Sequence, residues 1–386
     1  MPWRSPMSAK EALIFDVNSG MSIGEAARKH GVARSCAYKW VRRVSEAGGL
    51  RGLEEHSRRP EHSPNRTLQV HVEELLELKR RHGEYGPAKL VELLARRHGV
   101  PIMAASTAGK ILAHHQLVQA RGRRVPSVGQ PEHSPYAIAG AGDSQTTDYK
   151  GQFRMGNGQW CYPLTVCDPF SRFILGIVAM PSTHLVAAKA AYERLFREYG
   201  VPRQMISDNG TPFSSAISLG GLTQLSRWWI ELGITPVRIA PGRPDQNAIH
   251  ERMHRTLKAW IVRHPRKDMR AYQRTFNAFR LDFNHVRPHQ ALGQKTPDTA
   301  FRPYRPFPKK TNIEYDSIMA VRRVNDNGEI KWHGRAIFTS EVLIGTNVGL
   351  TQIGEHVWAI HFGHVRIGFL DTTANRVWNR LPEEPN

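Results

Sequence analysis

Cysteine, long apolar runs and acidic side chains are all scarce in this sequence. The three cysteines, Cys36, Cys161 and Cys167, are too few and too unevenly spaced for a disulfide framework or a CxxC metal knuckle, which points to a reducing, cytosolic setting. The longest apolar run, Phe173–Met180, falls far short of the roughly 20 residues needed to cross a bilayer. The N-terminal stretch MPWRSPMSAKEALIF has no apolar centre of the signal-peptide kind. Acidic residues number 34 against 54 Lys and Arg, a net charge of +20 over 386 residues. The remainder, 40% hydrophobic and 23% charged, is ordinary globular composition and excludes global disorder. The length implies two to four domains. A surplus of this size implies a polyanionic partner, with nucleic acid foremost.

The charge is unevenly placed. Residues 1–135 hold 22 basic and 13 acidic side chains, residues 136–310 hold 25 and 12, and residues 311–386 hold 7 and 9. Within the middle segment, residues 252–310 alone carry 15 basic and 3 acidic groups. The C-terminal piece, at −2, is a different surface and favours contact with protein over contact with DNA. Three stretches rich in Pro and Arg read as linkers: Arg51–Arg66, Gln119–Tyr136 and Phe301–Asn312. They divide the chain into domains at 1–50, 67–118, 137–300 and 313–386.

Residues 7–50 read as all helix. Ser22 with Glu25 three residues on is a capping-box pattern, His30-Gly31-Val32 a stop and turn, and a basic helix follows from about Ala33 to Ala47. Two short helices across a Gly turn make a helix-turn-helix, whose second helix offers Arg34, Lys39, Arg42 and Arg43 to DNA. Residues 67–118 repeat the theme, with helices at Val72–Arg81 and Ala88–His98 and a last one, capped by Ser106, carrying Lys110. Arg58, Arg59, Arg121, Arg123 and Arg124 in the linkers add cations able to follow a phosphate backbone. The middle segment predicts strands at Ser144–Phe153, Cys161–Val166 and Arg172–Met180, then helix Thr183–Tyr199, strand Gln204–Ser207, helix Leu222–Leu232, strand Thr235–Ala240 and a long helix from Gln246. That order is a mixed sheet with helices packed on it. The tail returns to about six short strands, with Asn327-Gly328 as a hairpin turn and Val365, Ile367 and Phe369 on one face, which predicts a small β-barrel.

Three carboxylates stand out. Asp148 sits in the strand-like run TTDYKGQF, Asp208 ends another at ISDNGTPF, and Glu251 lies early in the helix AIHERMHRTLK. At 100° per residue, Met253, Leu257, Trp260 and Ile261 form one stripe of that helix, and Glu251, Arg255 and Lys258 share the opposite face. His250 and His254 tilt toward the stripe.

The strings DYKG, SDNG and PGRPDQN…HERMHRTLK, followed by NHVRPHQALGQKTP, resemble the integrase-core transposases of bacterial insertion sequences, in the retroviral-integrase superfamily. The resemblance runs over nearly the whole chain. It implies N-terminal all-α helix-turn-helix units, a central α/β RNase H-like core and a C-terminal small β-barrel. It implies that Asp148, Asp208 and Glu251 are the catalytic, metal-binding triad, with Asn247, His254, Arg255 and Lys258 flanking a DNA cleft. The implied activity is metal-dependent 3′-end cleavage and strand transfer at the ends of an insertion element. The implied partners are double-stranded DNA, both terminal repeats and target, and further copies of the chain in a dimer or higher assembly in the bacterial cytoplasm at the nucleoid. Three such carboxylates repel one another by up to ~4 kcal/mol per pair at an effective dielectric near 20. They stay ionised together only with divalent cations, and oxygen ligands select two Mg²⁺ (or Mn²⁺) rather than Zn²⁺. The chain departs from the family in two places. Forty-two residues separate Asp208 from Glu251, the surplus holding the Trp-rich SRWWIEL, and Gln145 stands where many relatives have Trp.

Two other functions are compatible with parts of this sequence. One is a DNA-binding regulator derived from a transposase and catalytically inactive, although all three acids are present. The other is a zinc metalloprotease, since His250-Glu251-Arg252-Met253-His254 is an H-E-x-x-H string. Against the latter, the extended motif's Gly and His positions are held by Leu257 and Trp260.

Overall fold

A computed structural model describes residues 7–55, 66–118, 140–240, 248–309 and 311–380. The chain divides into two compact units, Met1–Arg66 and Thr67–Asn386. The first contains helices α1 (Met7–Asn18), α2 (Ile23–Lys29) and α3 (Arg34–Glu46). The expected capping box is present: the Glu25 N–H donates to Ser22 Oγ and the Ser22 N–H to Glu25 Oε2, both at 3.3 Å. Ala37 is buried on α3, and Trp40, Val41 and Val44 pack against the same small core of Leu13, Ile14, Ala26, Ala27 and Leu53. The first linker therefore does not begin as a free tether. Leu50–Leu53 forms a 3₁₀ turn that places Leu53 in this core, and Gly52 lies against the Arg43 carbonyl where a Cβ would approach to 2.2 Å.

The second unit opens with α4 (Gln69–Arg81), α5 (Pro87–His98) and α6 (Ala105–His114) around Leu75, Tyr85, Leu90, Leu94 and Leu112. Gly99, at φ +72°, ends α5 in the left-handed conformation a C-terminal glycine supplies. Ser106 does not cap α6; the helix starts one residue earlier and has no side-chain cap.

The core sheet has strands β1 (Ser144–Tyr149), β4 (Leu164–Cys167), β5 (Ile174–Val178), β6 (Gln204–Ser207) and β7 (Thr235–Arg238), in the order β5-β4-β1-β6-β7. The predicted long strands are split. Phe153–Arg154 (β2) and Trp160–Cys161 (β3) leave the sheet and pair with each other. β1, β4 and β5 are antiparallel, whereas β1, β6 and β7 run parallel. Alternation along β4, and along β5 with a bulge between Ile174 and Gly176, sends Leu164, Val166 and Leu175 to one face, under α7 (Leu185–Tyr199) and α8 (Gln224–Glu231). Cys167, Ile174 and Ile177 go to the other, under α9 (Ala248–Arg263) and α10 (Met269–Leu281). The edge strand β5 is covered by side chains in place of another strand. Gln273 accepts from the Ala179 N–H and donates to the Ile177 carbonyl, and the buried Asn284 makes the same pair of bonds with Ile174, all at 2.9 Å. The third linker is also structured. Tyr304 is buried, its hydroxyl donating to Asp168 at 2.7 Å, and Arg305 bridges to Val201.

The C-terminal module has a five-stranded antiparallel sheet of β8 (Ala320–Arg323), β11 (Asn347–Gln352), β12 (Val357–Phe362), β13 (Val365–Asp371) and β14 (Arg376–Trp378), and a hairpin of β9 (Glu329–Trp332) and β10 (Arg335–Phe338). The hairpin packs against the two edge strands β8 and β14, which closes the module like a barrel without a continuous ladder. Asn327-Gly328 is a tight turn, but the strands beside it do not pair as a hairpin, because β8 pairs with β11. The surplus between Asp208 and Glu251 joins this module to the core. Trp229 of α8 lies in the core cluster, while Leu219, Leu222 and Ile230 lie among the buried residues of the β module.

Candidate active site

The register places the first two acids side by side. Thr146 on β1 is level with Ile206 on β6 in a parallel pair, so two residues on, Asp148 and Asp208 end adjacent strands on the same face. The carboxyl ends of parallel strands are where ligands bind in open α/β sheets. Asp208 is steadied by the Gly210 N–H at 3.1 Å, and a Cβ on Gly210 would meet its Oδ2 at 3.1 Å, so the glycine keeps the approach open. Glu251 is brought in by α9, which lies against β1. Met253, Leu257 and Ile261 are buried and Trp260 half-buried, while Glu251, Arg255 and Lys258 are exposed, as the helical periodicity predicts.

The three carboxylates interact. Burial first, then Asp208 and Glu251, push the Asp148 carboxyl up to about 7. This is the signature of an acid that must either hold a proton or be met by a cation. The trio is not drawn together as closely as the two clusters whose three ligand atoms lie within 4.8 Å of one another, His71/Glu74/His98 and His82/Glu84/Asp282. The oxygen-only donor set and the mutual repulsion both fit a hard divalent cation.

His250 and His254 turn away from solvent. His250 is fully buried and His254 is 6% exposed. Thr165 on β4, opposite Asp148 in the antiparallel register, organises them. Its hydroxyl lies 2.8 Å from the Asp148 carbonyl, 2.6 Å from His250 Nε2 and 2.8 Å from His254 Nε2. A hydroxyl has one proton, and the carbonyl can only accept, so Thr165 donates there and both imidazoles donate to Thr165 through Nε2–H. That leaves the His254 Nδ1 lone pair facing Asp148 Oδ2 at 3.6 Å. His250 Nδ1 meets the Thr146 hydroxyl at 3.0 Å. Burial keeps both rings neutral, lowering His254 to about 3 and His250 well below its ordinary value. The H-E-x-x-H string is thus not a zinc site: its histidines are occupied inside the sheet and its glutamate faces outward. His254, expected to flank DNA, is instead buried and bonded to Thr165, with Nδ1 3.6 Å from Asp148. The histidines and Thr165 went unrecognised as one unit, although the polar threonines in TTDY and LTVC, on strands otherwise apolar, were the available signal.

The remaining candidates fall on two surfaces and outside the described residues. On α3, Arg34, Lys39 and Arg42 are exposed, Lys39 and Arg42 on the face opposite Ala37 and Val44, and Arg43 is half-buried. Arg42 also bonds Glu46 at 2.7 Å. Lys110 is exposed on α6. Arg58, Arg59, Arg121, Arg123, Arg124 and Asn247 lie outside the described residues. Arg287 is half-buried, stacked 5.2 Å from the Tyr85 ring and 5.4 Å from that of Phe283, so the VRPHQ segment docks the α4–α6 unit on the core. The Tyr85 hydroxyl donates to Asp282 at 2.6 Å and Arg263 meets Glu84 at 2.5 Å in the same seam. No described helix is long and apolar enough to cross a membrane.

Residues 140–244 and 232–297 match integrase core domain families, residues 9–61 a helix-turn-helix domain and residues 36–112 a homeodomain-like domain. The sheet, its carboxylates and these matches define an integrase-core protein with N-terminal DNA-binding units. In that core and its order of units the chain resembles the insertion-sequence transposases. It is 28% identical over 144 residues to an uncharacterised protein of insertion element IS407 from Burkholderia multivorans, covering 37% of this chain and 50% of that protein. It is 30% identical over 102 residues to the Gag-Pol polyprotein of gibbon ape leukemia virus, covering 26% of this chain and 6% of that one. The chain thus spans half or less of the length of these relatives. Among solved structures, a simian T-cell lymphotropic virus intasome in complex with PP2A regulatory subunit B56 gamma is 15% identical at TM-score 0.38, over 76% of this chain and 98% of that one. The HTLV-2 integrase catalytic core domain in complex with magnesium is 13% identical at TM-score 0.33, over 42% of this chain and 97% of that one. The strand order and the family matches, not these superpositions, carry the assignment.

Proposed function

We propose that the protein is a DNA transposase that binds the ends of an insertion element and carries out 3′-end cleavage and strand transfer at Asp148, Asp208 and Glu251. The observation that carries this reading is the convergence of the three acids at the carboxyl edge of the sheet, with Asp148 pushed up to about 7 by burial and by the other two. Asp148, Asp208 and Glu251 would hold Mg²⁺ or Mn²⁺, as the magnesium complex of the HTLV-2 core domain also suggests. Bound there, divalent cations supply Lewis-acid stabilisation of the attacking and leaving oxygens in an in-line phosphoryl displacement.

The chain's own residues do the rest. Thr165 fixes the Asp148 backbone by donating to its carbonyl, and the Asp148 carboxyl, pushed up to about 7, is about half protonated at neutral pH. Arg255 and Lys258, exposed on the Glu251 face of α9, fix phosphates along the cleft. The exposed face of α3, with Arg34, Lys39 and Arg42, enters the major groove at the element end, and Lys110 and the linker arginines neutralise further phosphates. Joining two ends requires at least two copies on DNA, and the reaction takes place in the cytoplasm at the nucleoid.

The test is nicking of an oligonucleotide that carries the element's terminal repeat. Activity with Mg²⁺ or Mn²⁺ and none with Zn²⁺ is expected. Sequence-specific binding without nicking under any of these metals would instead establish the inactive DNA-binding regulator.

A further inference from the structure

A second basic site lies on the flank of α9 turned away from Glu251. A cavity of about 230 Å³ is lined by Lys89, Arg172, Arg252, Thr256, Arg287 and His289. Its cations come from four separate places: α5, the turn between β4 and β5, α9 and the VRPHQ segment. No carboxylate lines it. Arg172 Nη1 and His289 Nε2 are buried with no hydrogen-bond partner. Arg172 stands at φ +67°, outside the conformations an arginine ordinarily adopts. The Arg252 guanidinium has neither an ion pair nor a hydrogen bond among the described residues; only its main-chain carbonyl is engaged, accepting from the Thr256 hydroxyl at 3.2 Å.

Like charges converging on one half-buried cavity repel, and the buried Arg172 N–H without an acceptor is costly. Both liabilities vanish if an anion sits between them. Two of the cations are already aimed. Lys89 donates to the Pro288 carbonyl, and Arg287 is clamped between the Tyr85 and Phe283 rings with Nη2 3.4 Å from the Thr256 hydroxyl. Guanidinium forks match the oxygens of a tetrahedral oxyanion.

We propose that this cavity is a phosphate-binding site, separate from the carboxylate trio, in which Arg172, Arg252, Arg287 and Lys89 hold one phosphate group. The group comes either from the DNA backbone or from free phosphate or a small phosphate ester. Because Lys89 belongs to the α4–α6 unit and Arg252 to the helix that carries Glu251, the bound phosphate ties a DNA-binding unit to the catalytic helix. The site stands whether or not the trio is catalytic.

The test is calorimetric titration of the full-length protein, metal-free, with inorganic phosphate at constant ionic strength. Saturable binding at one site per chain is expected, weakened at least about tenfold in Arg172→Gln and in Arg252→Gln. The control Lys331→Gln, which removes an equal charge from the β module, should bind as the parent does. Arg252 is exposed and unpaired, so its variant keeps the test sound even if the Arg172 variant fails to fold. Displacement of phosphate by a DNA duplex assigns the group to the backbone; binding that survives saturating duplex assigns it to free phosphate or a small ester. No binding to the parent, or equal binding to the parent and Arg252→Gln, overturns the site.

Discussion

Replacing Asp148 with Asn should stabilise the metal-free protein, increasingly so as the pH rises from about 4 to about 7. The folded Asp148 carboxyl titrates at about 7 against an ordinary 3.8. Between those values the folded state keeps a proton that the unfolded state has released, so the parent loses stability as the pH rises. Below about 3.8 the penalty is absent, and above about 7 it is complete. A shift of this size corresponds to about 4 kcal/mol. Asn carries no charge and escapes it. The buried histidines act in the opposite sense: their folded values lie below 6.5, so acid favours the unfolded chain. Both proteins share that term, which drops out of the difference between them. The assay is urea unfolding of both proteins in chelator across this range. The advantage of Asp148→Asn should grow from near zero at the acid end to about 4 kcal/mol at the alkaline end. Added Mg²⁺ should reverse the order by stabilising the parent alone. A difference that does not change with pH, or a variant less stable than the parent in chelator at the alkaline end, would refute the reasoning.

Three further outcomes can be checked separately. Thr165→Val removes the oxygen to which two buried imidazoles donate, at about 1–3 kcal/mol for each donor left unpaired; chemical denaturation showing a loss below 1 kcal/mol would contradict the assigned hydrogen bonds. Gln145 is fully buried with neither amide atom partnered, so Gln145→Met should gain about 1–3 kcal/mol in the same assay, and a loss would mean the amide is satisfied in solution. Lys39→Ala should lower the slope of log affinity against log salt for element-end DNA by about 1; an unchanged slope would remove Lys39 from the interface.

Much of the molecule was legible where one periodicity decided the outcome. The stripe Met253–Leu257–Ile261 set the face of α9 and thereby the outward course of Glu251, and Ser22 with Glu25 marked the start of α2 to the residue. The site's supporting layer was not legible, because Thr165, His250 and His254 lie up to 89 positions apart and meet only once β4 pairs with β1. A lone His-x-x-x-His spacing reads equally well as zinc ligands or as a core pair; burial decides between them. The start of the first linker and the third linker are fastened for a related reason. Pro and Arg content signals extended backbone, but Tyr304 and Arg305 fasten the third segment to the core through contacts distant in sequence. The same holds for Asn327-Gly328, where local turn chemistry was right and the partner strand was chosen by the sheet.

The central claim is that Asp148, Asp208 and Glu251 form one metal-dependent phosphoryl-transfer site. Single-turnover cleavage of element-end DNA by the parent and by Asp148→Asn, Asp208→Asn and Glu251→Gln, with duplex affinity measured in parallel, tests it most directly. The account predicts that each variant loses on the order of 10³-fold in rate or more, as removal of several kcal/mol of transition-state stabilisation requires, while duplex affinity stays within about twofold. Cleavage at the parental rate by any one of the three would contradict it.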